Sequence, residues 1–237
     1  MKLTSTATIL DFNPYSIRTE AEATHNIGEG FELADQRKFR YAKASAALTA
    51  GYLYLADSPN TNHHDVTAAS AASVNDTSVT VTLGATAATA NEYAEGYLVA
   101  SDNSPEGETY VIKSHPAADA SATLELTLYH PLITAVTTSS QFCLVHNTYY
   151  DVAAGTTQTL QPAGVAFVDV TAADDFGWLQ TRGVLADDTV AVGAEATIGS
   201  STEGAVETKD ADTEPLVAQA IVAGVDGEFR PMFLKIE

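Results

Sequence analysis

The feature that most constrains this chain is a two-residue hydrophobic period that recurs in short runs, each bounded by turn-forming residues. Ser78-Val79-Thr80-Val81-Thr82-Leu83 places Val79, Val81 and Leu83 on one face, and Thr123–Leu128 does the same with Leu124, Leu126 and Leu128. A helix would repeat its apolar face every three to four residues, so this alternation specifies half-buried strands. Further strand candidates are Tyr52–Ala56, Gly96–Ala100, Thr109–Ser114, Phe142–His146, Val165–Val170, Gly177–Arg182, Leu216–Val222 and Phe229–Ile236. Turn signals separate them at Asp57-Ser58-Pro59-Asn60, Asp102–Gly107, Asp187-Asp188 and Asp226-Gly227. Alanine is abundant but mixed with Thr, Ser, Gly and Val, and only Ala87–Tyr93 reads as a short helix.

Many short strands at this spacing predict an all-β protein of two to three small β-barrel or β-sandwich modules, with an extended N-terminal arm and only short helices. Three zones follow: 1–60 as arm and first β-hairpin region, 61–150 as a middle β domain, and 151–237 as a C-terminal β domain. The polar stretches Asn60–Asp76 and Asp151–Pro162 read as linkers, and no internal repeat stands out. Pro231 cannot donate to a ladder, so it is expected to open the last strand or to lie at an edge.

Charge narrows the function. The 237 residues include 31 acidic and 11 basic ones, a net charge of −20, while 45% hydrophobic content provides for a core. So acidic a chain repels phosphate backbones and anionic bilayers, which argues against nucleic-acid and membrane partners. Residues 1–43 nevertheless carry six basic and six acidic residues, so the whole deficit lies beyond them. A neutral arm before an anionic body suggests an arm that touches a partner, although acidic surfaces also simply favour solubility. The single Cys143 excludes an internal disulfide framework and reads as a small buried hydrophobe, in keeping with a reducing cytosol. The N-terminus lacks the apolar run of a signal peptide, and no stretch is long enough to span a bilayer.

Catalytic motifs are missing: there is no GxGxxG, P-loop, HExxH or GxSxG. His63-His64-Asp65 is the densest candidate metal cluster, but without a second ligand pair it reads as a solvated loop. His115-Pro116 and His130-Pro131 read as strand-end turns. Carboxylate pairs such as Asp174-Asp175, Asp187-Asp188 and Glu106/Glu108 fall in turns, without the aromatic platforms of a glycosidase or the spacing of a calcium loop. The expectation is therefore no catalytic residue, cofactor or metal. Tyr15, Phe31, Phe39 and Tyr41 are interleaved with the basic residues of the arm, a composition typical of protein interfaces. The same Lys38-Phe39-Arg40-Tyr41 alternation also fits a strand of the protein's own first module.

Three stretches carry a family resemblance. Gly28-Glu29-Gly30-Phe31-Glu32-Leu33-Ala34-Asp35-Gln36-Arg37-Lys38-Phe39-Arg40-Tyr41 resembles an N-terminal segment of tailed-bacteriophage structural proteins, of the form A-D-G-R-x-F-R-Y at its end, with Gln36 in place of the usual Gly. Glu92–Leu98 with Gly107–His115 is similar to a second block of those proteins, and Phe176–Gly183 with Phe229–Leu234 to a third. The resemblance implies a capsid decoration (cement) protein that binds the major capsid protein on the outside of the phage head. It also implies a homo-oligomer, trimer favoured and dimer as alternative, made in the bacterial host cytoplasm and incorporated into the virion. The candidate capsid-contact residues are Tyr15, Arg37, Phe39, Arg40 and Tyr41. The alternatives are a tail or host-adhesion component and, further off, a virion-associated glycan hydrolase using Asp174 and Asp187.

Overall fold

The computed structural model describes residues 13–19, 23, 25–190 and 193–237. They form two compact units: Met1–Ala56 together with Asp151–Glu237, and Asp57–Tyr150 inserted between them. The chain begins with β1 (Gly30–Glu32), β2 (Lys38–Lys43) and β3 (Leu53–Leu55), all in the first unit.

The inserted unit is a closed barrel of β4 (Val66–Ala68), β5 (Ser78–Thr82), β6 (Tyr97–Asp102), β7 (Thr109–Ser114), β8 (Thr123–Leu128) and β9 (Gln141–Val145). The strands run antiparallel in the order β4-β5-β8-β7-β6-β9. The period-two pattern explains the closure: Val79, Val81, Leu98, Ile112, Leu124 and Leu126 all point inward and are buried. Their neighbours Thr80, Val99, Val111 and Glu125 face outward. A closed ring leaves no strand edge to be paired.

The chain then returns to the first unit as β10 (Pro162–Ala166), β11 (Phe176–Val190), β12 (Glu195–Ile198), β13 (Val206–Thr208), β14 (Ala218–Ala220) and β15 (Glu228–Lys235). β11 is the spine. Its first half lies between β2 and β10, and its second half pairs with β15 and, in parallel, with β13. The pairings β11–β13–β12–β14–β15–β11 close a second ring, filled by residues such as Leu53, Val165, Ile198, Val206, Met232 and Leu234. Phe39, Tyr41, Phe176 and Trp178 form a separate aromatic cluster where β2 meets β11. Tyr41 stacks on Phe176 at 5.4 Å and lies 5.1 Å from Trp178, and Phe31 meets Trp178 edge-on at 5.3 Å. Such pairs add about 0.5–1.5 kcal/mol each beyond the burial of their area.

The all-β expectation therefore holds, but several local expectations are corrected. Asn60–Asp76 is not a linker: it holds a 3-10 turn, Thr61–His63, and the barrel strand β4. Ala87–Tyr93 is not a helix: Ala88 bridges to Ala118, turns follow from residue 90, and Asn91 adopts a left-handed φ of 61° that a helix does not contain. The segments at the two ends of the sequence, expected as separate modules, share one sheet, since β2 pairs with β11 across the barrel's insertion. Asp187-Asp188 is not a turn but lies inside β11, opposite Arg230 and Phe229. Pro231 lies inside the eight-residue β15 rather than at its start or at an edge. Its carbonyl accepts from the Ile221 N–H, so its nitrogen also faces the β14 side and no hydrogen bond to β11 is lost. Cys143 is only partly buried on the barrel's outer face, with Sγ 3.7 Å from Asp65 Oδ1.

Candidate interaction face

β2 alternates in both composition and burial. Phe39 and Tyr41 point inward and have no exposed surface, while Lys38 and Arg40 stand on the other face. Two of the five predicted contact residues are therefore core residues. With no accessible atom, Phe39 and Tyr41 cannot anchor a partner, and the strand reading of Lys38–Tyr41 is the one the structure adopts. Burial also pushes the Tyr41 phenol up to about 12. Tyr15 is 66% exposed, with its ring 4.9 Å from that of Phe167. Whatever arm residues 1–12 form lies outside the described residues.

Residues directly opposite one another in a ladder share a face. Through β1, β2, β11 and β15 the register aligns Glu32 with Lys38, Lys38 with Arg182, and Arg182 with Lys235. Three cations thus form one cross-strand row, although they lie 144 and 53 positions apart in sequence (38 to 182, 182 to 235). None of the three makes an ion pair among the described residues, whereas their neighbours do. Arg40 binds Glu237 through Nε at 2.8 Å and donates from Nη1 to the Gly28 carbonyl at 3.0 Å. Gly30 makes room for it: a Cβ there would lie 2.8 Å from Arg40 Nη1. Arg37 binds Asp35 at 2.8 Å, and these hydrogen bonds hold the Asp35 carboxyl below its usual range. The Arg37 stem lies across Gly183, where φ is +92° and a Cβ would come within 2.7 Å of it.

A shallow groove of 240 Å³ crosses this face between Glu32, Lys38, Arg40 and Glu237. Like charges placed directly opposite in a sheet destabilise it. Glu32, opposite Lys38, offsets the row at one end only, so in a chain of net charge −20 its Arg182–Lys235 part is a place where an anionic surface would be attracted. Of the predicted contacts, Arg40 belongs to this face, whereas the Arg37 guanidinium lies over the Phe39 ring at 5.8 Å, on the other side of the sheet. Sequence reasoning missed Lys38, Arg182 and Lys235 because only the strand register brings them together.

Gln36 ends the turn from β1 to β2 with φ 69°, its N–H donating to the Leu33 carbonyl at 2.9 Å. This is the left-handed conformation that favours Gly.

The other chemical candidates dissolve or change character. Asp174 is solvent-facing and pairs with Lys43 at 2.8 Å, while Asp187 is fully buried, so the two do not form a solvent-facing carboxylate pair. No group of His, Cys, Asp or Glu among the described residues has metal-binding geometry. His63 is not solvated but completely buried, as is nearly all of His115, and both sit around Tyr93 at one end of the barrel. No protein-family model matches the chain, and no curated protein or solved structure matches it.

Proposed function

We propose that this chain is a structural protein of a tailed-phage virion, a capsid decoration protein that binds the outer surface of the major capsid shell and stabilises the head. Binding rather than catalysis is the role we assign to it. The observation that carries the reading is the cationic row Lys38–Arg182–Lys235, bordered by Arg40, on an otherwise strongly acidic chain. Lys38 and Arg182 lie within two of the three phage-like stretches, with Lys235 one residue past the end of the last, and Gln36 takes the backbone conformation that the Gly of the phage pattern would favour. An acidic shell surface is the matching partner, and many weak copies on a lattice would gain from avidity. A homo-oligomer, trimer in preference to dimer, suits a site on a symmetry axis.

The test is a sedimentation assay with phage heads that lack the protein, comparing the wild type with a K38E/R182E/K235E variant over a salt series. We expect saturable binding that weakens with salt and is abolished in the variant. Full occupancy by the variant would remove this face from the interface. Immunogold labelling confined to the tail would favour the second reading, a tail or host-adhesion component.

A further inference from the structure

We propose that the Tyr93 segment is an acid-released plug that closes one end of the inserted barrel. Tyr93 is buried within the barrel's own core cluster, yet it belongs to the turns before β6 rather than to a strand. Three histidines from three other connections hold it. His63, from the turn before β4, faces the Tyr93 hydroxyl with Nδ1, and its Nε2 lies 3.0 Å from the Thr86 carbonyl. His146, after β9, stacks on the Tyr93 ring at 4.4 Å and 15°. His115, after β7, accepts the Tyr93 backbone N–H on Nε2 at 2.9 Å.

The heavy atoms alone fix the protonation of His115. A backbone N–H can only donate, so Nε2 must carry a lone pair. Nδ1 then holds the proton and donates it to the Pro116 carbonyl at 2.8 Å. Adding a second proton would set N–H against N–H, and Tyr93 N–H, unlike a hydroxyl, cannot turn away. The surroundings agree with the geometry: burial, the leading cause, together with the nearby His63 holds His115 below its ordinary value of 6.5, although Pro116 and Glu92 pull the other way.

Charged groups also surround the plug. His146 Nδ1 is 3.3 Å from Asp57 and Nε2 is 3.2 Å from Glu92. Its other faces meet the rings of Tyr93 and Tyr150. Glu92 favours closure as a carboxylate. Burial works against its ionisation, but His146 and the Thr89 N–H hold its carboxyl below 4.5. The only cation of this unit outside its histidines, Lys113, lies over Tyr129 instead.

The sign follows from proton uptake. Above pH 6.5 His115 is neutral whether the plug is open or closed, and contributes no pH dependence. Below that value the open form binds a proton that the closed form refuses. The opening equilibrium then rises by up to about tenfold per pH unit, until the lowered value of the closed form is reached.

Amide hydrogen exchange at Tyr93 reads the plug directly. After correction for intrinsic exchange, we expect protection in the wild type to fall several-fold between pH 7.5 and 5.0. His115→Gln, whose amide oxygen still accepts the Tyr93 N–H but does not titrate, should show a flat profile. Wild-type protection that is unchanged or rises on acidification would overturn the proposal, as would an equal fall in His115→Gln. If that variant does not fold, the wild-type profile decides alone.

Discussion

The barrel of Asp57–Tyr150 and the unit formed by the rest of the chain each close a ring of strands, but with different materials. The barrel is built from one contiguous stretch, its core is mostly aliphatic, and all its strand pairs are antiparallel. It contains ten acidic residues, a single Lys, no Arg, and five of the six histidines. The other unit is assembled from two distant segments around β11, keeps an aromatic cluster beside its ring, and carries ten of the eleven Lys and Arg residues. Among the described residues it also leaves β1 paired on one side only. A sealed ring offers a partner no backbone edge, whereas a sheet with a free edge and a cationic face offers both hydrogen bonds and charge. On the function proposed above, recognition would belong to the split unit, and the barrel would be a compact insert whose sensitive point is chemical rather than adhesive.

The largest expected effect separates the two cores. Phe39→Ala should destabilise the split unit by about 3–5 kcal/mol, read as a shifted urea transition of the fluorescence of Trp178, the one tryptophan. Amides of β5 and β8 should keep their protection in the same sample. Phe142→Ala should do the reverse. A common shift of both readouts in either variant would mean that the two units unfold as one.

Acid comes next. His115 begins to cost stability below its ordinary 6.5, and Glu92 below its ordinary 4.5, because each is held below that value in the fold. Each proton taken up on unfolding removes up to ~1.4 kcal/mol per pH unit. Between pH 7 and 4 the barrel's amides should therefore lose protection before the Trp178 transition moves. If the tryptophan transition moves first, the sensitivity lies in the wrong unit.

Gln36→Gly should raise the melting temperature of the split unit, by about 1 kcal/mol of stability, because it relieves a left-handed non-Gly residue. No change or a loss would show that the Gln36 side chain supports the turn. The smallest effect belongs to the cationic row. Arg182→Gln should add roughly 0.2–1 kcal/mol at low salt and nothing at 1 M, where the Debye length is about 3 Å. A loss of stability at low salt would mean that Arg182 is already compensated.

These positions also show what the sequence could and could not disclose. Strands β5 to β9 were legible because Val79, Val81, Leu124 and Leu126 alternate cleanly between turns, and the inner and outer faces of the barrel follow that alternation. β12 and β13 were missed because they are three or four residues long and small or polar, so a window sees no period. β4 was hidden in an Ala/Ser-rich stretch for the same reason. β11 was foreseen only over its first half, since Asp187-Asp188 reads as a turn unless one knows that Arg230 and Phe229 lie opposite. Buried histidines are the hardest case: His63-His64-Asp65 looks like a solvated loop, and only Tyr93, 30 residues later, makes His63 a core residue. For the candidate interaction face, Arg40 stood out from local composition, while the row it borders exists only through strand register.

Leu55 and Ala153 bond to one another at 2.9 Å across the point where the barrel is inserted. That closeness has a consequence on the ribosome. β2 leaves the tunnel early, but Trp178, the partner of Tyr41, is made only after the 94 residues of Asp57–Tyr150 have been completed. At about 5–20 residues per second that interval is roughly 5–20 s, long compared with the folding of most small domains. Phe39 and Tyr41 must wait through it as exposed aromatics on a nascent chain, and the barrel, folding as it emerges, brings residues 56 and 151 together so that β11 is delivered next to the strand awaiting it. The inserted unit would thus act as an assembly clock for its host, and a synonymous-codon change that slows translation of residues 57–150 would be expected to lower the yield of soluble protein without altering a single contact in it.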